Sequence, residues 1–189
     1  TVETIGHTAF RYSSVTSVTI PDSVTFISDS AFAYCFNLTN ISIPNSVTSI
    51  GFSAFGGCTK LESITLPSSL RSISEALFSG CSQLTTIHIP VSVTSIENDA
   101  FDGCPSSMTV TYPGSKTQWD DNITKGSNND VLENNLICAT LEATFTADGT
   151  TLAQPQTIDR GEKFTEPAKP PKENHTFAGW YNGDEKFDF

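Results

Sequence analysis

One phrase is written nearly three times between Val47 and Cys104. It reads VTSIGFSAFGGCTKLESITLPSS from Val47, LRSISEALFSGCSQLTTIHIPVS from Leu70 and VTSIENDAFDGC from Val93, each copy starting 23 residues after the last. A fixed period of this length, with an apolar residue locked to each phase, marks stacked units that cannot bury their apolar faces alone. The period extends upstream. With Val2, Val24, Val47, Leu70 and Val93 as starts, the next phases are Ile5, Ile27, Ile50, Ile73 and Ile96, then Phe10, Phe32, Phe55, Phe78 and Phe101. Leu38, Leu61 and Leu84 follow, with Val15 in the first copy, and then the pairs Val18/Ile20, Ile41/Ile43, Ile64/Leu66, Ile87/Ile89 and Val110/Tyr112. A proline closes each copy, at Pro21, Pro44, Pro67, Pro90 and Pro113. Thr1 and Val2 already stand in register, so the chain reads as cut from something longer.

Within a copy, LxxIxIP alternates apolar and polar residues, the pattern of a strand with one buried face. Proline then ends the ladder because it has no amide to donate. SAFxGC reads as a single helical turn with a polar N-cap and a left-handed glycine exit. SVTSI is extended and β-branched. The expected fold class is a repeat solenoid of five right-handed coils, with a parallel β-sheet on one side and short helical turns and extended segments on the other. At strand spacing that sheet is about 24 Å long.

Cys35, Cys58, Cys81 and Cys104 recur at the same period, with Ser13 near that phase in the first copy. Like positions in stacked coils lie about 4.8 Å apart, within reach of a disulfide. Side chains of one phase nevertheless point together into the core, where a free thiol packs as a small apolar group. The expected arrangement is a ladder of reduced thiols, with Cys35–Cys58 or Cys81–Cys104 bridges as the alternative. Metal binding needs ligands that converge, and no His or carboxylate shares the phase.

The phrase SIGFSAFGGCTKLESITLP resembles the BspA-like leucine-rich repeat, a class found in bacterial surface proteins, and the likeness covers residues 2 to 113. The last copy departs from it at Pro105-Ser106-Ser107-Met108, with Ser107 at the expected leucine position. The next segment, YPGSKTQWDDNITKGSNNDVLENNLICAT, resembles the piece that ends such arrays, so residues 114–138 are expected to cap a solenoid spanning 1–138. Ser115 and Gln118 have capping-box spacing, which predicts a short helix carrying Trp119 and Ile123. Asp130 is a candidate cap for a second turn with Val131 and Leu132. Leu136, Ile137 and Cys138 would add one last strand, and Trp119 would close the apolar end.

From about Ala139 the period is lost, and residues 139–189 resemble the Listeria and Bacteroides repeat, an extracellular module with a small β-grasp-like fold. Phe145, Gly149, Gly161, Pro167, Pro170, Phe177, Gly179, Trp180, Tyr181 and the closing Phe187-Asp188-Phe189 carry the likeness. The last strand of that family is missing, so the module reads as incomplete, with an unpaired edge.

Ten Lys and Arg against 21 Asp and Glu give a net charge of −11, which repels phosphate backbones and anionic membranes. Nucleic acid is not an expected partner. No run of about 18 apolar residues exists to insert in a membrane.

Two surfaces could bind a partner. The positions flanking the buried strand residues read Ser17, Thr19, Asn40, Ser42, Ser63, Thr65, Thr86, His88, Thr109 and Thr111. These are small and uncharged, either a ladder chosen for β-propensity and solvation or a contact face for a protein or glycan. Tyr12, Phe26, Tyr34, Phe36 and Phe52 form the second set, in phases that elsewhere hold Ser, Gly, Thr or Pro. The first account of them is burial against preceding repeats or an N-terminal cap that the chain lacks. Partner binding is the second and scattered exposure the third.

Catalysis finds no support. His7, His88 and His175 fall in the first coil, the fourth coil and the tail module. The coils beside His88 present Ser63, Thr65, Thr109 and Thr111, with no carboxylate to orient its ring. Asp99 with Asp102 and Asp120 with Asp121 are loop charges, and no phosphate, metal or calcium motif occurs. No catalytic residue, metal or cofactor is expected. The resemblances imply a non-enzymatic, cell-surface or secreted bacterial protein that presents its repeat surface to a protein partner from host, matrix or bacterial surface. The alternative is a structural spacer, or a noncatalytic appendage of a larger secreted protein or hydrolase.

Overall fold

Each repeat has two extended stretches, and each becomes a short parallel strand. The computed structural model describes residues 1–143, 145–147, 150–151, 156–159, 165–168, 181–182 and 185–186. It places β1 (Thr4–Ile5), β2 (Ser17–Thr19), β3 (Phe26–Ile27), β4 (Asn40–Ser42), β5 (Ser49–Ile50), β6 (Ser63–Thr65), β7 (Ser72–Ile73), β8 (Thr86–His88), β9 (Ser95–Ile96) and β10 (Thr109–Tyr112) along the repeats. The closing segment adds α1 (Lys116–Asn122), β11 (Thr124–Lys125), α2 (Val131–Asn134) and β12 (Leu136–Cys138). The even strands form one six-stranded parallel sheet in the order β12-β10-β8-β6-β4-β2. The odd strands form a second ladder in two pieces, β1-β3-β5 and β11-β9-β7. At the break the Ser74 hydroxyl donates to the Ile50 carbonyl. In the coils on either side an amide makes that bond, from Gly51 to Ile27 and from Glu97 to Ile73.

Register follows the period: Ile27 pairs with Ile50, Ile64 with Ile87 and Ile73 with Ile96. Side chains in one phase therefore pile into columns. Phe32, Phe55, Phe78 and Phe101 are buried, and their rings stack in sequence order at 5.5, 5.8 and 5.4 Å between centroids. Phe10 continues the column at 5.0 Å from Phe32 but, standing in the first coil, is 38% exposed. In the fifth coil the leucine place is taken by buried Met108 rather than Ser107, because Pro105-Ser106-Ser107 inserts one residue ahead of it.

The SAFxGC segments are compact turns built as consecutive β-turns rather than as a helix. In the second coil the amides of Ala31, Ala33 and Cys35 bond back three residues, to the carbonyls of Ser28, Ser30 and Phe32. The amides between them, of Ser30, Phe32 and Tyr34, reach sideways to Phe52, Ala54 and Gly56 of the next coil. Neighbouring coils thus compete with the helix for the amides and win every second one. Each such turn needs two left-handed residues, for example Ser53 with φ 48° and Gly57 with φ 71°.

None of the five cysteines is in a disulfide. Their thiols serve the stack: Cys35, Cys58, Cys81 and Cys104 each donate to the carbonyl of the phenylalanine one coil back, at 2.9, 3.2, 3.2 and 3.4 Å. Burial pushes Cys58 and Cys104 up to about 12 from an ordinary 9.0, and raises Cys35 and Cys81 too. A thiol more acidic in the unfolded chain favours folding fully below its unfolded value and loses that advantage as pH rises toward its folded value. The melting temperature is therefore expected to hold to about pH 8.5 and to fall between about pH 9 and 12. Thermal melts across that range check this, and the fall should be shallower in Cys58→Ala than in the parent.

Residues 114–138 close the stack as a sixth, irregular coil, in which β11 extends the ladder of β9 and β12 that of β10. Ser115 and Gln118 form a reciprocal capping box on α1. Asp130 stands at the start of α2 without a side-chain cap bond.

The chain divides into two compact units, Thr1–Cys138 and Ala139–Phe189. Among its described residues the second contains three antiparallel pairs: β13 (Thr140–Ala143) with β16 (Gln156–Asp159), β14 (Thr146–Ala147) with β15 (Thr150–Thr151), and β17 (Tyr181–Asn182) with β18 (Glu185–Lys186). Phe145 and Pro167 are buried, and the Gln156 side chain bonds both the amide and the carbonyl of Thr165. Gly149, Gly161, Pro170, His175, Phe177, Gly179, Trp180 and the closing Phe187-Asp188-Phe189 lie outside the described residues, as does the expected unpaired edge.

Candidate functional site

The six-stranded sheet puts the first set of candidate residues on one face. Strands β4, β6 and β8 alternate exposed, buried, exposed, so each central isoleucine points inward and its two neighbours outward. Thr19 pairs with Ser42, Ser42 with Thr65, Thr65 with His88 and His88 with Thr111, which makes one continuous row. Beside it Ser17 pairs with Asn40, and Ser63, Thr86 and Thr109 follow one another. Thr109 and Thr111 are half-buried and the other eight are exposed. The rows carry no formal charge.

His88 is fixed within this face. The Thr111 hydroxyl donates to the Ile87 carbonyl at 3.2 Å, so at 2.9 Å it accepts from Nδ1–H of His88. That network places a proton on Nδ1. No carboxylate bonds the ring, and no cluster able to hold a metal occurs among the described residues.

The five aromatic candidates do not stay together. Tyr12 stacks on Tyr34 at 5.0 Å, and Phe36 sits 6.3 and 6.0 Å from the two. Phe52 lines the same depression as Tyr34, whereas Phe26 lies on β3 and makes no ring contact among the described residues. Burial under a preceding coil does not account for three of the five. Tyr34, Phe36 and Phe52 belong to the second and third coils, already have a coil on their N-terminal side, and remain 38, 48 and 47% exposed. What preceding coils would meet is the open end of the core, where Val2, Ile5, Phe10 and Val24 line a hollow of about 290 Å³.

The aromatic site also contains residues that sequence reading missed. The Arg11 guanidinium lies 5.0 Å from the Tyr12 ring centre and 5.4 Å from that of Tyr34, within cation–π range. Below the rings runs bare backbone: a Cβ on Gly57 would meet Tyr34 Cδ1 at 2.5 Å, and one on Gly103 would meet Gly80 Cα at 3.4 Å. Gly57, Gly80 and Gly103 hold the turn's second left-handed position with φ of 71–73°, and in the first two coils the same position is Tyr12 and Tyr34, with φ of 62 and 59°. That backbone costs a residue bearing a side chain about 1–2 kcal/mol. The signal was present in the sequence as one phase reading Tyr12, Tyr34, Gly57, Gly80, Gly103.

Residues 3–130 match the model of the BspA type leucine rich repeat region, in six copies. The chain belongs to this family. The match runs past the fifth coil into the irregular closing coil, which the sequence had suggested only as a cap. Residues 142–189 match the Listeria-Bacteroides repeat domain. Among solved structures, this BspA-type chain is similar to a leucine rich cell surface protein from Faecalibacterium prausnitzii, with 34% identity and a TM-score of 0.51 over 58% of this chain and 35% of that one. It also resembles a T. pallidum leucine rich repeat protein, with 21% identity and a TM-score of 0.54 over 66% of this chain and 67% of that one, a likeness of fold alone. The chain thus spans about a third of the F. prausnitzii structure it matches. No curated protein matches it. No helix among the described residues is long and apolar enough to cross a membrane.

Proposed function

We propose that this BspA-type chain is a non-enzymatic, extracellular bacterial protein whose repeat sheet binds a protein partner and so serves adhesion. The observation that supports this most is the uncharged outer face of the sheet, with Thr19, Ser42, Thr65, His88 and Thr111 in unbroken register. A face of short hydroxylated side chains loses little side-chain entropy when covered. Both modules are of kinds typical of bacterial surface proteins, in keeping with an extracellular setting.

The test is a panel of purified extracellular-matrix and bacterial surface proteins probed with the immobilised chain, alongside Thr86→Arg and His88→Arg. Each arginine puts a long charged side chain in the middle of the face, and the expected result is loss of binding by at least about tenfold. Binding untouched by both changes removes the sheet as the site. A panel with no binder leaves the spacer or appendage reading in its place.

A further inference from the structure

We infer that the depression bordered by Arg11, Tyr34 and Phe52 binds a carboxylate-bearing sugar, one acidic unit of a glycan. It is a second site, on the turns rather than on the strand face. Its volume, about 390 Å³, is at the small end of ligand pockets.

The cation argues for the carboxylate. Among the described residues Arg11 makes no ion pair, although the chain carries a net charge of −11. Its guanidinium is positioned over Tyr12 and Tyr34 and keeps its donors for a ligand, and a planar fork of donors matches a carboxylate bidentately. A polyanion would be repelled by the rest of the molecule. The ligand therefore carries one isolated negative charge.

The remaining contacts argue for a sugar rather than a peptide. An extended peptide binds through free backbone groups, and the amides along this floor are already used. Gly56 donates to Ser53, Gly57 to Ser79 and Gly80 to Asp102. What remains is side-chain hydroxyls: among the described residues Ser30, Ser53 and Ser79 line the depression and none bonds through its hydroxyl to a protein group. The exposed faces of Tyr34 and Phe52 carry negative quadrupole charge and suit the polarised C–H bonds of a pyranose ring. A carboxylate, several hydroxyls and an apolar C–H face describe an acidic monosaccharide.

Backbone strain at Tyr34 points the same way. Coils three to five meet the left-handed position with glycine, and the second coil instead keeps a strained tyrosine whose ring forms the wall of this depression. A local rule broken where a surface is shaped is the mark of a functional position.

The experiment titrates the 189-residue chain with N-acetylneuraminic acid, glucuronic acid, glucose and an acidic peptide, following ligand resonances by saturation-transfer NMR. Expected is binding of at least one acidic sugar in about the millimolar range, with glucose at least about tenfold weaker. Arg11→Gln should weaken the acid about tenfold. Tyr34→Gly, which gives the second coil the residue of the later ones, should do likewise while the melting temperature stays level or rises. If Tyr34→Gly melts early, Arg11→Gln decides. Thr86→Arg should leave sugar binding unchanged, so this site and the sheet face can fail separately. No response to either acid, an equal response to glucose, indifference to Arg11→Gln, or response to the peptide alone overturns the inference.

Discussion

Phe78→Ala is expected to lower the free energy of unfolding by about 3–5 kcal/mol, and Ser63→Ala by less than about 0.5 kcal/mol. The Phe78 ring has no exposed surface and lies between Phe55 at 5.8 Å and Phe101 at 5.4 Å, so truncation opens a cavity that flat neighbours on both sides cannot easily fill. The Phe78 backbone is also committed to the next coil, its amide to the Ala100 carbonyl and its carbonyl to the Cys104 thiol. Local relaxation of the turn would therefore disturb the fifth coil together with the fourth. Ser63 points outward from β6 and packs against nothing that its loss would expose. Phe10→Ala is the internal comparison: the same residue type, 38% exposed with one ring neighbour, should cost clearly less than Phe78→Ala. Urea denaturation of the three variants measures this. A Ser63 cost above that of Phe78 would mean that the phases had been assigned to the wrong sides of the coil.

The columns were legible because translation by a fixed period is their cause: once Phe55 is inside, Phe32, Phe78 and Phe101 must be. The outer face of the sheet was legible for the same reason, since Ser63 and Thr65 flank Ile64 in a strand of period two. The turns were misread where the deciding bonds lie between coils. SAFGGC has the composition of a capped helical turn, and nothing in the local sequence says that the Phe55 amide will go to Leu77 rather than back up its own helix. Aromatic grouping was only partly legible. Tyr12 and Tyr34 share a phase and stack, while Phe36 and Phe52 approach them from other phases through turn geometry that a linear register does not specify. Arg11 was passed over because a single arginine beside a tyrosine carries no signal until its side chain is seen over two rings.

The ends of the array obey a different logic, and Trp119→Ala is the change expected to expose it, at a cost of about 3–5 kcal/mol. Columns cannot terminate by repeating, so the closing coil replaces each with something that satisfies its last member. The strand isoleucine phase ends at Lys125, which pairs with Ile96 and holds its ammonium 5.0 Å over the Trp119 ring. Where the Phe78 amide finds the Ala100 carbonyl of the next coil, the Phe101 amide finds the side-chain oxygen of buried Asn129, whose own amide nitrogen bonds the carbonyls of Glu97, Gly126 and Ser127. Trp119 covers the apolar remainder, fully buried and edge-on to Tyr112 at 5.3 Å, with its indole N–H donated to Glu133 at 2.8 Å. Partial burial pushes the Glu133 carboxyl up, but hydrogen bonds from Lys125 and Trp119 outweigh it and hold the group below its usual range. A depressed carboxyl contributes stability that is present above its unfolded value and is lost as pH falls through the folded one. Trp119→Phe should therefore keep most of the packing yet lose part of the extra stability that the parent shows at pH 7 relative to acid. In Trp119→Ala, amide exchange should quicken first in β11 and β12 and then in the fifth coil, since each coil of a solenoid is stabilised by its neighbours. A loss below about 1 kcal/mol, or exchange that quickens uniformly from β2 to β12, would show that the stack is not closed by this residue.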